Sequence, residues 1–127
     1  MDDLLVDSHV VVWMLADSPR LGTNARRAIV EAGAVWVSVV TPWELAAKRA
    51  LGRLDMPDDL LDQLNGRGLR WLAVEPEDGM RAGALPRHHG DPFDRILIAQ
   101  AIRRGVAVLT ADDTFGAYDV AVIDASR

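Results

Sequence analysis

At 127 residues the chain has room for one domain, residues 1–127, and enough length to build a core without staples. Half of it is hydrophobic, 26% is charged and none of it is cysteine, which excludes a disordered composition, disulfides, zinc–thiolate sites, iron–sulfur clusters and a cysteine nucleophile. A formal net charge of -5 argues against a generic nucleic-acid binder.

The elements follow in order. Residues 4–6 form a short apolar run ending at Asp7, the pattern of a buried first strand. Residues 9–15 read as a turn or two of helix, stopped near Asp17-Ser18-Pro19. A second helix spans 24–32, with Arg26 and Arg27 outside and Gly33 past its end. The β-branched run 35–40 predicts a second strand. Thr41-Pro42 opens a helix to about Leu51, closed by Gly52. Residues 58–64 predict a helix ended by Asn65-Gly66, 69–74 a third strand and 77–84 a short helix. A loop covers 86–90, and Asp91-Pro92 opens a long helix to Arg104, closed by Gly105. Strands four and five fall at 106–109 and 120–123. Apolar strands alternating with helices predict a parallel sheet covered on both faces. No window approaches the roughly 18 apolar residues of a membrane span, and the acidic N-terminus lacks the basic start of a signal peptide. A cytoplasmic protein without membrane association is expected.

The acids are lopsided, with 15 Asp against 4 Glu, and so are the bases, with 13 Arg against the single Lys48. Position separates the ordinary acids from the unusual ones. Asp7 and Asp112 follow strands one and four, at the carboxyl edge where open α/β sheets bind ligands. Thr41-Pro42-Trp43-Glu44 and Asp91-Pro92-Phe93-Asp94 share a pattern of cap, proline, aromatic and acid. Each of these acids has an ordinary explanation: Thr-x-x-Glu is a capping box, and acids in a first turn complement the helix dipole. Together they form a carboxylate patch that a hard divalent cation resolves, because Mg²⁺ or Mn²⁺ takes oxygen ligands. Such a site suits in-line phosphoryl chemistry.

Four blocks carry a resemblance. They are Leu4-Leu5-Val6-Asp7-Ser8-His9, Ser38-Val39-Val40-Thr41-Pro42-Trp43-Glu44-Leu45-Ala46-Ala47-Lys48, His89-Gly90-Asp91-Pro92-Phe93-Asp94-Arg95-Ile96-Leu97-Ile98-Ala99-Gln100-Ala101 and Leu109-Thr110-Ala111-Asp112. Over almost its whole length the chain resembles a PIN-domain ribonuclease of the VapC type, the toxin of bacterial type II toxin–antitoxin pairs. The resemblance implies a three-layer α/β/α sandwich with a central parallel sheet of four to five strands. It implies a Mg²⁺-dependent endoribonuclease, with Mn²⁺ able to substitute, and metal-holding catalytic acids at Asp7, Glu44, Asp94 and Asp112. Thr110 supplies an ordering hydroxyl, and Ser8 can do the same beside Asp7; Thr41 stands where relatives often have Ser. A VapB-like antitoxin whose C-terminal segment lies over the site, an RNA substrate and a homodimer are also implied.

Several positions stay open. Asp91 and Asp94 share a helix face, with Asp94 the favoured ligand and Asp91 the cap; Asp112 is favoured over Asp113. Lys48 is either an i,i+4 partner of Glu44 or a holder of substrate phosphate. His9 and His89 read as structural or solvated, with metal ligation possible but unneeded beside four carboxylates, and Trp13, Trp43 and Phe93 read as core, with base stacking by an exposed aromatic the minority alternative. Arg49, Arg53, Arg87 and Arg95 either line an RNA path or are surface charge. A receiver-type phosphoryl-transfer module needs a late lysine, and an Asp-x-Asp phosphatase needs an acid at position 9; the chain has neither. The alternative is a catalytically silent PIN-like module that binds RNA or protein.

Overall fold

Short apolar runs become the strands of one sheet, and the proline- and acid-led segments become the helices around it. The computed structural model describes residues 2–127; Met1, the start of the acidic N-terminal stretch, lies outside the described residues. The order is β1 (Leu4–Val6), α1 (Ser8–Leu15), α2 (Thr23–Glu31), β2 (Val35–Ser38), α3 (Thr41–Ala50), α4 (Leu60–Gly66), β3 (Arg70–Leu72), α5 (Pro76–Ala84), α6 (Pro92–Arg104), β4 (Ala107–Thr110), a 3₁₀ turn (Asp113–Ala117) and β5 (Val122–Asp124). The strands lie in the order β3-β2-β1-β4-β5, and all four pairings are parallel. Among the described residues no helix is long and apolar enough to cross a membrane.

The sheet separates two cores, because successive strand residues face opposite ways. Val6, Val37 and Leu109 join Val10, Val11, Ala25, Leu45 and Leu64 from α1 to α4 on one side. Leu5, Leu72 and Val108 join Leu97, Ile98 and Ala101 of α6, with Phe115 and Tyr118, on the other. This is the three-layer architecture the sequence predicts.

The differences from the sequence reading have local causes. β2 stops at Ser38 because the buried Ser38 hydroxyl accepts the Val40 N–H at 3.2 Å and turns the chain. Val40 therefore becomes the cap of α3, in helical conformation, and Thr41 is its first residue. The capping box expected of Thr41 and Glu44 does not form, and the buried Thr41 Oγ1 has no partner. The 3₁₀ turn after β4 carries no helical periodicity and is absent from the sequence reading; Asp112 opens it by accepting the Thr114 N–H at 2.9 Å. Gly105 closes α6 in the left-handed region, at φ 72° and ψ 36°, as its position predicts.

A buried acid locks the two helices that carry the chain from β3 to β4. Asp78, 1% exposed, accepts the Glu75 N–H at 2.8 Å and the Arg103 Nε–H at 2.8 Å. It completes the capping box of α5 and ties α5 to α6. Asp78→Ala strands both donors and should cost about 2 kcal/mol of stability in urea unfolding. Asp78→Asn keeps an acceptor for Glu75 and should cost less.

Candidate active site

Strand order positions the acids. Chain order runs from β1 outward through β2 to β3, then returns to the other side of β1 for β4 and β5. The reversal lies between β1 and β4, the switch point at which parallel α/β sheets open a crevice. Asp7 follows β1 and Asp112 follows β4 by two residues, so both stand at that crevice. α3 follows β2 and α6 runs into β4, which puts the N-termini of both helices at the same edge.

Asp7 is 3% exposed and heavily engaged. Its Oδ1 accepts the Ser8 N–H at 2.7 Å, and its Oδ2 accepts the Thr110 hydroxyl at 2.7 Å. His9 Nε2 accepts the Ala111 N–H at 3.1 Å, which leaves the proton on Nδ1, 3.3 Å from Asp7 Oδ2. Glu44, 2% exposed, accepts the Ser8 hydroxyl on Oε1 at 2.5 Å and the Lys48 ammonium on Oε2 at 2.6 Å. Ser8 thus links the acid of β1 to the acid of α3.

Asp94 is the hub. Glu44, Asp91 and Asp94 bring ligand atoms within 4.8 Å of one another, and so do His89, Asp94 and Asp112. Asp91 caps α6 by accepting the Phe93 N–H at 2.8 Å, the role the sequence favoured for it, and its carboxylate also stands among the candidate ligand atoms. Asp112 lies in the cluster, whereas Asp113 is exposed. His89 enters from the loop before α6. Its Nδ1 accepts the Asp91 N–H at 3.1 Å, so its proton sits on Nε2. That N–H points between Asp94 Oδ2 at 2.8 Å and Asp112 Oδ2 at 2.9 Å. Arg95 holds the loop in place by donating to the carbonyls of Ala82, Leu85, Pro86 and His89.

Burial and the negative charges of Asp7, Asp91, Glu44 and Asp112 push Asp94 up to about 8. Burial also raises Asp7, against the opposing pull of His9, Thr110 and Ser8. Asp112 feels burial too, but hydrogen bonds from Thr114 and His89 hold it below the ordinary aspartate range. Lys48 is held above its ordinary value, burial being outweighed by Glu44, Asp91 and Asp94. An oxygen-rich cluster in which burial and mutual repulsion keep a proton on one member matches the ligand chemistry of Mg²⁺ or Mn²⁺.

Some side chains depart from the sequence reading. Trp43 is 67% exposed rather than core, because it leaves α3 about 100° around the axis from the buried Glu44. Phe93 and Trp13 are half-buried. Arg95 is consumed by the loop carbonyls, and Arg49 by Met56 and Asp58; Arg53 and Arg87 remain exposed. His89, read from the sequence as structural or solvated, instead stands among the acids of the cluster. The His89-x-Asp91 spacing, which lets an imidazole nitrogen accept the Asp91 N–H, is the signal that could have found it.

The raised Asp94 makes metal-free stability depend on pH. The unfolded chain ionises this group near 3.8, whereas the folded protein keeps the proton until about 8. Stability is therefore lost as pH rises through that window. Asp94→Asn should melt above the metal-free wild type, by a margin that grows from pH 4 to 8 in thermal scans. A margin independent of pH would contradict the assignment.

Comparison with known proteins identifies the family and the fold. The family model described as PIN domain matches residues 4–121. Ribonuclease VapC22 of Mycobacterium tuberculosis is 33% identical over 115 residues, covering 88% of each chain. A DNA-bound VapBC from Salmonella typhimurium shares the fold at TM-score 0.70 and 17% identity, covering 98% of both chains. VapBC2 from Rickettsia felis, bound to a promoter DNA fragment, does so at TM-score 0.68 and 12% identity, covering 96% of this chain and 98% of that one. With a family match over residues 4–121 and a relative of this identity, the chain belongs to the PIN domain family.

Proposed function

We propose that the chain is a metal-dependent endoribonuclease, the toxin of a type II toxin–antitoxin pair, that hydrolyses RNA phosphodiester bonds. The observation that carries the reading is the pair of ligand groups sharing Asp94 at the β1/β4 crevice. The ribonuclease relative supports the activity. Asp7, Glu44, Asp94 and Asp112 are the acids assigned to Mg²⁺, with Mn²⁺ able to replace it. These residues would hold a divalent cation, which when bound would supply positive charge for a phosphodiester and a more acidic water for in-line attack.

The chain's own residues prepare that site. The Ser8 hydroxyl fixes one oxygen of Glu44 and Lys48 the other. Thr110 donates to Asp7 and accepts the Asp112 N–H at 3.0 Å, so one hydroxyl sets the spacing of two acids. His89 holds Asp94 and Asp112 together while Asp94 keeps its proton. The positive ends of α3 and α6 face the same crevice and offset part of the repulsion. We further propose a VapB-like antitoxin partner, from the toxin–antitoxin complexes among the structural neighbours, and a cytoplasmic homodimer.

Purified, partner-free protein should cut total cellular RNA into discrete fragments with Mg²⁺ or Mn²⁺ and not with EDTA. Asp7→Asn and Asp94→Asn should abolish cutting. Folded protein that binds metal and leaves all RNA intact would favour the silent binding module instead. Thr110→Ala, which frees Asp7 and Asp112 from their shared hydroxyl, should lower activity by about 10- to 100-fold. Equal activity of that variant and the wild type would remove Thr110 from the site. Millimolar Mn²⁺ should raise the wild-type melting temperature and raise that of Asp94→Asn much less.

A further inference from the structure

We propose that Trp43, braced by Phe93, is a stacking platform for a nucleobase of single-stranded RNA beside the carboxylate cluster; this rests on the ribonuclease reading above.

Three of the four tryptophans have work inside the fold. Trp13 packs edge-on against His9 at 5.0 Å. Trp36 donates to Asp3 at 3.0 Å and lies under Arg104 at 4.3 Å. Trp71 donates to Asn65 at 3.0 Å. All three are half-buried, while Trp43 is 67% exposed. Its ring meets Phe93 at 4.7 Å between centroids and 81° between planes. In that T-shaped contact at least one face of the indole stays open, and Phe93 fixes the ring's orientation.

The location selects the occupant. Trp43 precedes Glu44 and Phe93 precedes Asp94, each by one residue of a helix first turn. The acids turn inward to the cluster, and the aromatics stand on its rim. Each ring is thus carried by the backbone next to an acid of the cluster, which places a base stacked on Trp43 beside the site rather than across the fold from it. A protein interface of ordinary size needs about 800 Å² from each partner, and two rings contribute at most about 500 Å². Every base has a π-face, so such a platform tolerates sequence while demanding an unpaired strand.

The test measures binding of labelled oligouridylate, and of the same oligomer made abasic, by anisotropy in Ca²⁺, beside cleavage in Mg²⁺. Trp43→Ala should weaken oligouridylate binding by about 5- to 150-fold, Trp43→Phe should recover most of it, and the abasic oligomer should bind wild type and Trp43→Ala alike. Unchanged oligouridylate binding by Trp43→Ala overturns the platform. So does an equal loss on the abasic oligomer, which would make Trp43 a brace for the helices. A shift of Trp43→Ala to a smaller species in sedimentation overturns it in favour of a contact between copies. Wild-type protein that cuts RNA but binds both oligomers equally overturns the platform alone. Wild-type protein that neither binds nor cuts overturns the platform and the ribonuclease reading together.

Discussion

Mutual repulsion among carboxylates at one edge of the sheet is the constraint on which the rest of the structure turns. Asp7, Glu44, Asp91, Asp94 and Asp112 converge there with Lys48 as the close ammonium. Every other feature of the site answers that repulsion. Ser8 and Thr110 spend hydroxyl protons on carboxylate oxygens, His89 places an N–H between two acids, and Asp94 retains a proton to about 8. Only the proton on Asp94 removes a negative charge. The other devices hold the remaining charges in a fixed geometry, which is the condition a cation site requires.

The fold supplies that geometry at low cost. A parallel sheet whose order reverses beside β1 leaves an open crevice at the carboxyl ends of β1 and β4. Two helix N-termini reach the same edge because one follows a strand and the other precedes one. Their positive ends face the acids. The anchoring lies further back. Asp78 and Arg103 join α5 to α6, and Gln100, fully buried, donates to the carbonyls of Leu72 and Ala73 at the end of β3. Arg95 holds the loop that delivers His89. α6 therefore carries the hub acid at one end and its attachments to the scaffold along its length.

Much of this was legible in the sequence. Leu4-Leu5-Val6 reads as a buried strand because nothing polar interrupts it, and Asp91-Pro92 reads as a helix start because Asp caps and Pro fits the first turn. The four acids were found by their places relative to those elements. What escaped depends on tertiary geometry. Trp43 looks like core by type, and only the rotation of α3 turns it outward. Thr41 looks like a cap, yet the Ser38 hydroxyl turns the chain one residue earlier and gives that place to Val40. Arg95 reads as an RNA contact or as surface charge, and three of the four carbonyls it satisfies, those of Leu85, Pro86 and His89, come from a segment with no regular pattern. His89 gains its role from a loop fold and from Asp112, 23 residues away.

On the proposed function, Asp94 joins two ligand groups into one cation site and surrenders its proton when that site fills. The most direct measurement is proton release on Mn²⁺ binding, by titration calorimetry at pH 7 in buffers of different ionisation enthalpy. The account predicts that wild-type protein releases close to one proton per binding event and that Asp94→Asn binds more weakly and releases almost none. Tight binding without proton release, or equal release by both proteins, would contradict it.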